Sequence, residues 1–213
     1  MMRLEVRLEV LVEGAADTPV VREVLTRRFK LVEGLDFRIH PHKGKGKLPH
    51  DVLSPPEPHR QGLLDQLPAK LRGWSYLGDE ACVVVLVDAD DESCIDLLAR
   101  LNALLARLHK RPKRVLFRLA IEETESWFIA DVDAVKRAYP RAKTGKLRRI
   151  SPDAVVGAWE MLANALGDPG SQVSGAAKYE WAESISPHLD LDYPRSPSMR
   201  KLISGLAREL GTD

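Results

Sequence analysis

The chain has 213 residues, 44% of them apolar and 30% charged, with a formal net charge of +1; this is the composition of a soluble globular protein with one core of ordinary size. No apolar run approaches the ~20 residues of a membrane span, and the first residues alternate charged and apolar instead of forming a signal-peptide core, so a cytoplasmic location is expected. Two lone cysteines, Cys82 and Cys94, argue against a disulfide framework and against a thiolate zinc site.

Residues 3 to 12 alternate so that Leu4, Val6, Leu8, Val10 and Val12 share one face, which predicts a strand ending at Glu13-Gly14. Thr18-Pro19 supplies a cap and a first-turn proline for a helix whose stripe is Val20, Val21, Val24, Leu25 and Phe29. A short strand at Phe37 to His40 leads into a flexible basic loop carrying Lys43, Lys45 and Lys47 between glycines. With the proline cluster at residues 54 to 58, that loop runs from about 41 to 58, and loops of this length are usually functional or disordered. Residues 59 to 72 predict a helix interrupted by Pro68.

The run Cys82 to Val87 is continuously apolar, as in a parallel strand covered on both faces, and stops at Asp88-x-Asp90 with Asp91 directly after. In open α/β sheets ligands sit outside the carboxyl ends of the strands; taken alone, these acids also fit a helix cap. Of the three, Asp91 is assigned to the start of the next helix. Ile95 to His109 predicts that helix, with Leu97, Leu98, Leu101, Leu104, Leu105 and Leu108 on its apolar face, and Val115 to Ile121 a further strand, ending at Glu122-Glu123-Thr124-Glu125. Helices are expected at Asp131 to Tyr139, Val155 to Leu166 and Lys178 to Ile185, with a breaker at Gly167 to Gly170. Ser196-Pro197 begins a last helix with the stripe Met199, Leu202, Ile203, Leu206 and Leu210. The expected fold is therefore α/β: a parallel-sheet core over residues 1–130 and a mostly helical extension over 131–213, packed on it as one compact unit.

Charge is segregated. Lys136 to Arg149 holds seven lysines and arginines and no acid, whereas Glu122 to Asp133 holds five acids and no base. Such segregation suits a metal site beside a phosphate-binding surface, and also ordinary solvated helix faces.

Three strand ends each deliver carboxylates: Glu13 with Asp17, Asp88 with Asp90, and Glu123 with Glu125. In a parallel sheet these ends lie on one edge, where mutual repulsion makes the cluster costly unless a cation neutralises it. An oxygen-only donor set selects hard ions, chiefly magnesium or manganese, one or two of them. Two such ions about 4 Å apart stabilise the attacking and leaving oxygens of a phosphodiester.

Glu13-Gly14 after the first strand and Asp88-x-Asp90 after a later one resemble the Toprim signature of topoisomerases, primases and related nucleases. Asp17 four residues after Glu13, and the late Glu123-x-Glu125, bring the chain closer to the OLD-type (overcoming lysogenization defect) nucleases. A small stand-alone bacterial branch of that group looks most similar: it has Glu-Gly, a basic glycine loop, Glu-x-Glu followed by Ser-Trp-Phe, and a late Lys with Arg-Ser-Pro-Ser. Here these are Glu13-Gly14, Lys43 to Lys47, Glu123 to Phe128, and Lys178 with Arg195 to Ser198. Two departures stand out: Asp17 where a glutamate is more usual, and Met199 where an aromatic is more usual.

The resemblance implies a Toprim-like (Rossmann-like) fold and two metals bound by the acid pairs. Glu13, Asp88 and Asp90 would hold the first, while Asp17, Glu123 and Glu125 would help with the second or order the water. Lys178 would stabilise charge on the phosphate. Lys43, Lys45 and Lys47 would touch nucleic-acid phosphates, and Arg195 would bind phosphate or pair with Glu123. For each of these basic residues a purely structural or surface role is the competing assignment. Trp127 and Phe128 are assigned to the core rather than to base stacking.

The implied activity is hydrolysis of DNA or RNA by a magnesium- or manganese-dependent nuclease. The implied setting is phage defence with a separately encoded AAA- or ABC-type ATPase, no membrane, and a homodimer left open. The competing expectation is a catalytically weak nucleic-acid- or partner-binding regulatory subunit with the same fold. Nucleotidyl transfer is disfavoured because no nucleotide-binding module is evident. No Gly-x-x-x-x-Gly-Lys-Ser/Thr loop, His-Glu-x-x-His or serine elbow is present. The six histidines are scattered, and His40 with His42 alone does not make a zinc site.

Overall fold

The computed structural model describes residues 6–168 and 173–212. Leu4 of the first predicted stripe and the end of the predicted 167–170 breaker lie outside them.

Four strands, β1 (Arg7–Val12), β2 (Phe37–Pro41), β3 (Ala81–Asp88) and β4 (Val115–Ala120), form one parallel sheet in the order β2-β1-β3-β4. The helices are α1 (Asp17–Glu23), α2 (Leu63–Gly73), α3 (Cys94–Arg107), α4 (Glu125–Ala130), α5 (Val132–Ala138), α6 (Ala158–Leu166), α7 (Gly175–Ile185) and α8 (Pro197–Leu210). This is the α/β class expected.

The sheet is covered on both faces, and the period of two along each strand decides which side chain goes where. Leu8, Val10 and Val12 of β1, with Cys82, Val84 and Leu86 of β3, join one apolar cluster with α1 and with α4 to α8. Leu11, Val83, Val85 and Val87 point the other way, into a cluster with α2 and α3. Both faces of β1 are covered: Leu11, opposite the predicted stripe, is fully buried, and even Glu9 is only 8% exposed. A helical layer on each face explains this, and β1 is an inner strand, between β2 and β3. Glu9 is accommodated by His40 Nε2 at 2.6 Å and Arg7 at 3.1 Å.

The extension shares its core with the sheet: Leu162, Trp181, Leu202 and Leu206 belong to the same cluster as Leu8 and Leu86. The Arg-Ser-Pro-Ser run is part of that packing. Ser196 caps α8 by accepting the Met199 N–H, and Ser198 Oγ accepts the Trp127 indole N–H at 2.8 Å. Asp153 accepts the Ser196 hydroxyl and the Ser198 N–H. Trp127 and Phe128 are each 1% exposed and are core residues, as expected.

Several helix starts differ from expectation. Thr18 does not cap α1; the helix begins at Asp17, whose Oδ2 accepts the Gly14 N–H and closes the turn. Asp91 does not begin α3; Ser93 is its cap, accepting the Asp96 N–H, and the helix starts at Cys94. α2 starts at Leu63 rather than residue 59, because the chain before it is bound into the basic loop, and Pro68 is accommodated within the helix. α7 starts at Gly175, capped by Ser174, three residues earlier than expected. Gly167 does end α6, in the left-handed conformation (φ +89°) that favours glycine.

Candidate metal and phosphate site

The strand order places a topological switch point between β1 and β3. The chain leaves β1 through α1 to β2 on one side and leaves β3 through α3 to β4 on the other, with α1 and α3 on opposite faces. Ligands of open α/β sheets bind in the crevice opened where connections diverge in this way. Glu13 follows β1 and Asp88 ends β3, so the two acids flank that crevice.

Glu13 is tied across it: its Oε1 accepts the Asp88 N–H at 2.7 Å. Asp17 is buried, with one carboxylate oxygen on the Gly14 N–H (2.9 Å) and the other on the Thr124 hydroxyl (2.8 Å). Thr124 therefore locks the acid after β1 to the segment after β4. It lies within the Glu-Glu-Thr-Glu stretch, but the spacing of the acids alone drew no attention to it.

Glu123 and Glu125 stand together at the start of α4, both reached by Lys178 from α7, at 3.1 and 3.4 Å. The Lys178 ammonium also sits 5.3 Å from the Trp159 ring centre, a cation–π arrangement. Lys45 Nζ lies 2.8 Å from an Asp90 carboxylate oxygen and 3.3 Å from the Ala89 carbonyl. Asp90 adopts a left-handed backbone (φ +48°), which aspartate tolerates better than most residues.

The acids lie close enough to oppose one another's ionisation. Burial, together with the neighbouring Asp17 and Asp90, pushes Glu13 up to about 8. Burial and then Glu125 raise Glu123 to about 7. Asp88 is driven well above the usual range by burial and by Asp17, Glu13, Glu125 and Glu123, the direction expected where several carboxylates converge. Asp17 and Glu125 are raised chiefly by burial. Burial pulls on Lys178 in the opposite sense, but Glu125 and Glu123 outweigh it and hold the ammonium above its ordinary value.

Glu122, the acid next to the pair, serves structure. In a left-handed conformation (φ +62°) its carboxylate takes the N–H groups of Gly157 and Ala158, holding the start of α6.

The basic loop is strapped down rather than free. The Gly44 and Lys45 carbonyls accept the Leu63 and Leu64 N–H groups, satisfying donors at the start of α2, and the Lys47 N–H goes to Asp65. Gly62 is packed against Gly46 so tightly that a Cβ on Gly62 would lie 2.5 Å from the Gly46 Cα. Gly62→Ala should therefore lower stability by about 1–3 kcal/mol, an overpacking cost, measurable by urea unfolding; an unchanged midpoint would show that the loop moves aside freely.

Lys45 is thus drawn into the acid cluster, whereas the Lys43 and Lys47 side chains are exposed. Arg195 is not paired with Glu123: Lys178 takes that place, and an Arg195 guanidinium N–H goes to the Ala130 carbonyl at 3.1 Å. The Arg-Ser-Pro-Ser segment passes on the opposite end of α4 from Glu125, which separates Arg195 from the carboxylates.

All candidate ligands here are carboxylate oxygens, a donor set suited to a hard divalent cation. Glu123 Oε2 is buried without a hydrogen-bond partner, so one acceptor of the cluster is unspent. Among the described residues no three His, Cys, Asp or Glu side chains are drawn into a geometry that already holds a metal ion. Lys45 pairs with Asp90, and Lys178 pairs with Glu123 and Glu125. The residues fit such an ion in the chemistry of their donors, though not in their present placement. Among the described residues, no helix is long and apolar enough to cross a membrane. No curated protein and no solved structure matches the chain. A family model matches residues 12–207, nearly the whole fold and every acid above, and the chain belongs to that family, described as a domain of unknown function (DUF4276).

Proposed function

We propose that the protein is a magnesium- or manganese-dependent nuclease that hydrolyses nucleic-acid phosphodiesters. The observation that carries this reading is the set of five acids, Glu13, Asp17, Asp88, Glu123 and Glu125, that three neighbouring strands bring to one edge of the sheet, with Glu13 tied to the Asp88 N–H and Asp17 to Thr124. Opposed carboxylates of this kind are unfavourable unless a cation or proton neutralises them. The ordered set of motifs that resembles the OLD-type Toprim nucleases supports the same reading.

Glu13, Asp88 and Asp90 would hold one ion, and Asp17, Glu123 and Glu125 a second or the attacking water. Once bound, a hard divalent ion supplies Lewis acidity toward the phosphate and lowers the pKa of coordinated water. Thr124 orients Asp17 by donating its hydroxyl, a bond that favours the carboxylate against the burial that raises it. Lys178 has its charge maintained by Glu123 and Glu125, and it can transfer an N–H from them to a phosphate oxygen as charge builds there. Lys45 stands beside Asp90 and can neutralise the neighbouring phosphate. A separately encoded ATPase partner and a role in defence against foreign DNA belong to the same proposal.

Purified protein incubated with manganese or magnesium and plasmid, single-stranded DNA or tRNA tests it. Metal-dependent cleavage is expected. No cleavage of any substrate with either ion, with or without an ATPase partner, would favour a second reading, a nucleic-acid- or partner-binding regulatory subunit. That reading draws on the lack of a metal-holding group of three acids among the described residues and on the two lysine partners of the acids.

A further inference from the structure

The segment from Lys136 to Arg149 is unlike an ordinary solvated face. Its seven cations have no acid among them, and Arg137, Arg141, Lys143, Lys146, Arg148 and Arg149 are exposed. Between them, Ala142, Thr144 and Leu147 are buried and fix the segment to the body. Its backbone is pinned as well: the Lys143 N–H goes to the Ala165 carbonyl at 2.7 Å, and the Arg148 N–H to Thr144 at 3.2 Å. Inward anchors alternate with outward cations, so the charges are held on an ordered surface rather than on a loose tail.

Those charges are largely unspent. Among the described residues the one ion pair from the exposed set is Arg148 with Asp133, at 3.7 Å. Solvated helices normally interleave acids that relieve such repulsion; here the repulsion is left standing, a state that a polyanion relieves. The band has room beside it. Lys143 and Lys146 line a groove of about 540 Å³ that no acid lines. Its Leu147–Arg149 turn packs against α4, the helix that begins with Glu125. Lys45, by contrast, is drawn into the acid site beside Asp90, so away from that site the glycine loop offers only Lys43 and Lys47.

We infer that the Lys136–Arg149 band is the main nucleic-acid-binding surface of the protein, gripping the phosphate backbone without reading sequence. The acid site names the substrate class, and in that respect the inference rests on the nuclease reading. Binding through such a band depends on counterion release and weakens steeply with salt.

Fluorescence anisotropy with a labelled single-stranded oligonucleotide and its duplex tests it, in chelator so that no cleavage intervenes. Neutralising three cations, as Arg141→Gln, Lys143→Gln and Lys146→Gln together, should weaken binding at least about tenfold at physiological salt. It should also reduce the log–log salt slope by about 2 for the single strand and about 3 for the duplex. The melting temperature should be unchanged, since these side chains are exposed. Lys43→Gln with Lys47→Gln should cost less.

Equal affinity and slope in the triple variant and the parent would overturn the inference. So would capture by phosphatidylserine vesicles with no binding to either oligonucleotide. If the protein binds through the band yet never cleaves, the nuclease reading fails and this one stands. If it cleaves and the triple variant cleaves and binds like the parent, the reverse holds.

Discussion

Replacing Asp88 by asparagine should abolish metal-dependent cleavage and at the same time make the metal-free protein more stable. Asp88 is the acid most opposed by its surroundings, with Asp17, Glu13, Glu125 and Glu123 all raising its pKa after burial. Its backbone N–H, which holds Glu13 at 2.7 Å, survives the substitution. The amide therefore removes one repelled charge without dismantling the crevice. Loss of a carboxylate ligand that supports several kcal/mol of transition-state stabilisation lowers the rate about 100- to 10,000-fold. Relief of repulsion should raise the melting temperature at pH 8 by about 2–4 °C for each kcal/mol recovered. Glu13→Ala should share the loss of activity. Cleavage that survives both substitutions would show that the acids are not the metal site. A lower melting temperature for Asp88→Asn would show that its carboxylate makes a favourable interaction in the ground state.

A second large effect concerns pH. Glu13 is held at about 8 and Glu123 at about 7, both above the ordinary value of about 4.5. Across that window the native state keeps protons that the unfolded chain has released. Unfolding then loses protons, and stability declines as pH rises. The contribution is fully present below about pH 4.5 and is lost once pH passes about 8. Asp17, Asp88 and Glu125, also raised, act in the same sense. His42, which burial holds below its ordinary value of about 6.5, acts in the opposite sense below that pH. It is one group against five.

In chelator, the melting temperature should therefore fall between pH 5 and pH 8, and less so in Glu13→Gln. Manganese should reverse the slope, because it competes with protons for the same oxygens. At a hundredfold excess over its dissociation constant it should add about 2.7 kcal/mol, or roughly 5–10 °C. Thermal melts with and without the ion decide the matter. A pH-independent melt in chelator, or no manganese response at pH 8, would remove the physical basis of the site.

The contrast between Lys45 and Arg195 shows what kind of inference the linear pattern supports. Both were basic residues near a motif, and both were assigned to phosphate. Lys45 comes to the acids because its loop is clamped to α2 through Gly46 and Gly62, a contact between backbones more than ten residues apart. Arg195 is carried past the far end of α4 and is satisfied by the Ala130 carbonyl. Nothing in the order of residues distinguishes the two cases. Thr124 makes the same point from the other side: its hydroxyl matters because Asp17 is opposite it, 107 positions away in sequence. Ser196 caps α8 as its sequence predicts, whereas the tie from Ser198 to Trp127 appears only in the fold.

The sequence by itself determined the α/β class, the four strands, most of the helices and the acids that close three of those strands. These follow from local periodicity and from carboxylates placed where apolar runs stop, which neighbouring residues specify. Only the tertiary structure decided that β1 lies inside the sheet and is buried on both faces, because sheet order depends on which strands pair, and burial on the helical layer on each face, not on any strand's own pattern. It also decided which acids oppose one another, which lysines are drawn to them, and that Glu122 holds α6. Those outcomes depend on distances across the switch point between β1 and β3, a gap that appears only when residues far apart in the chain are brought to the same edge.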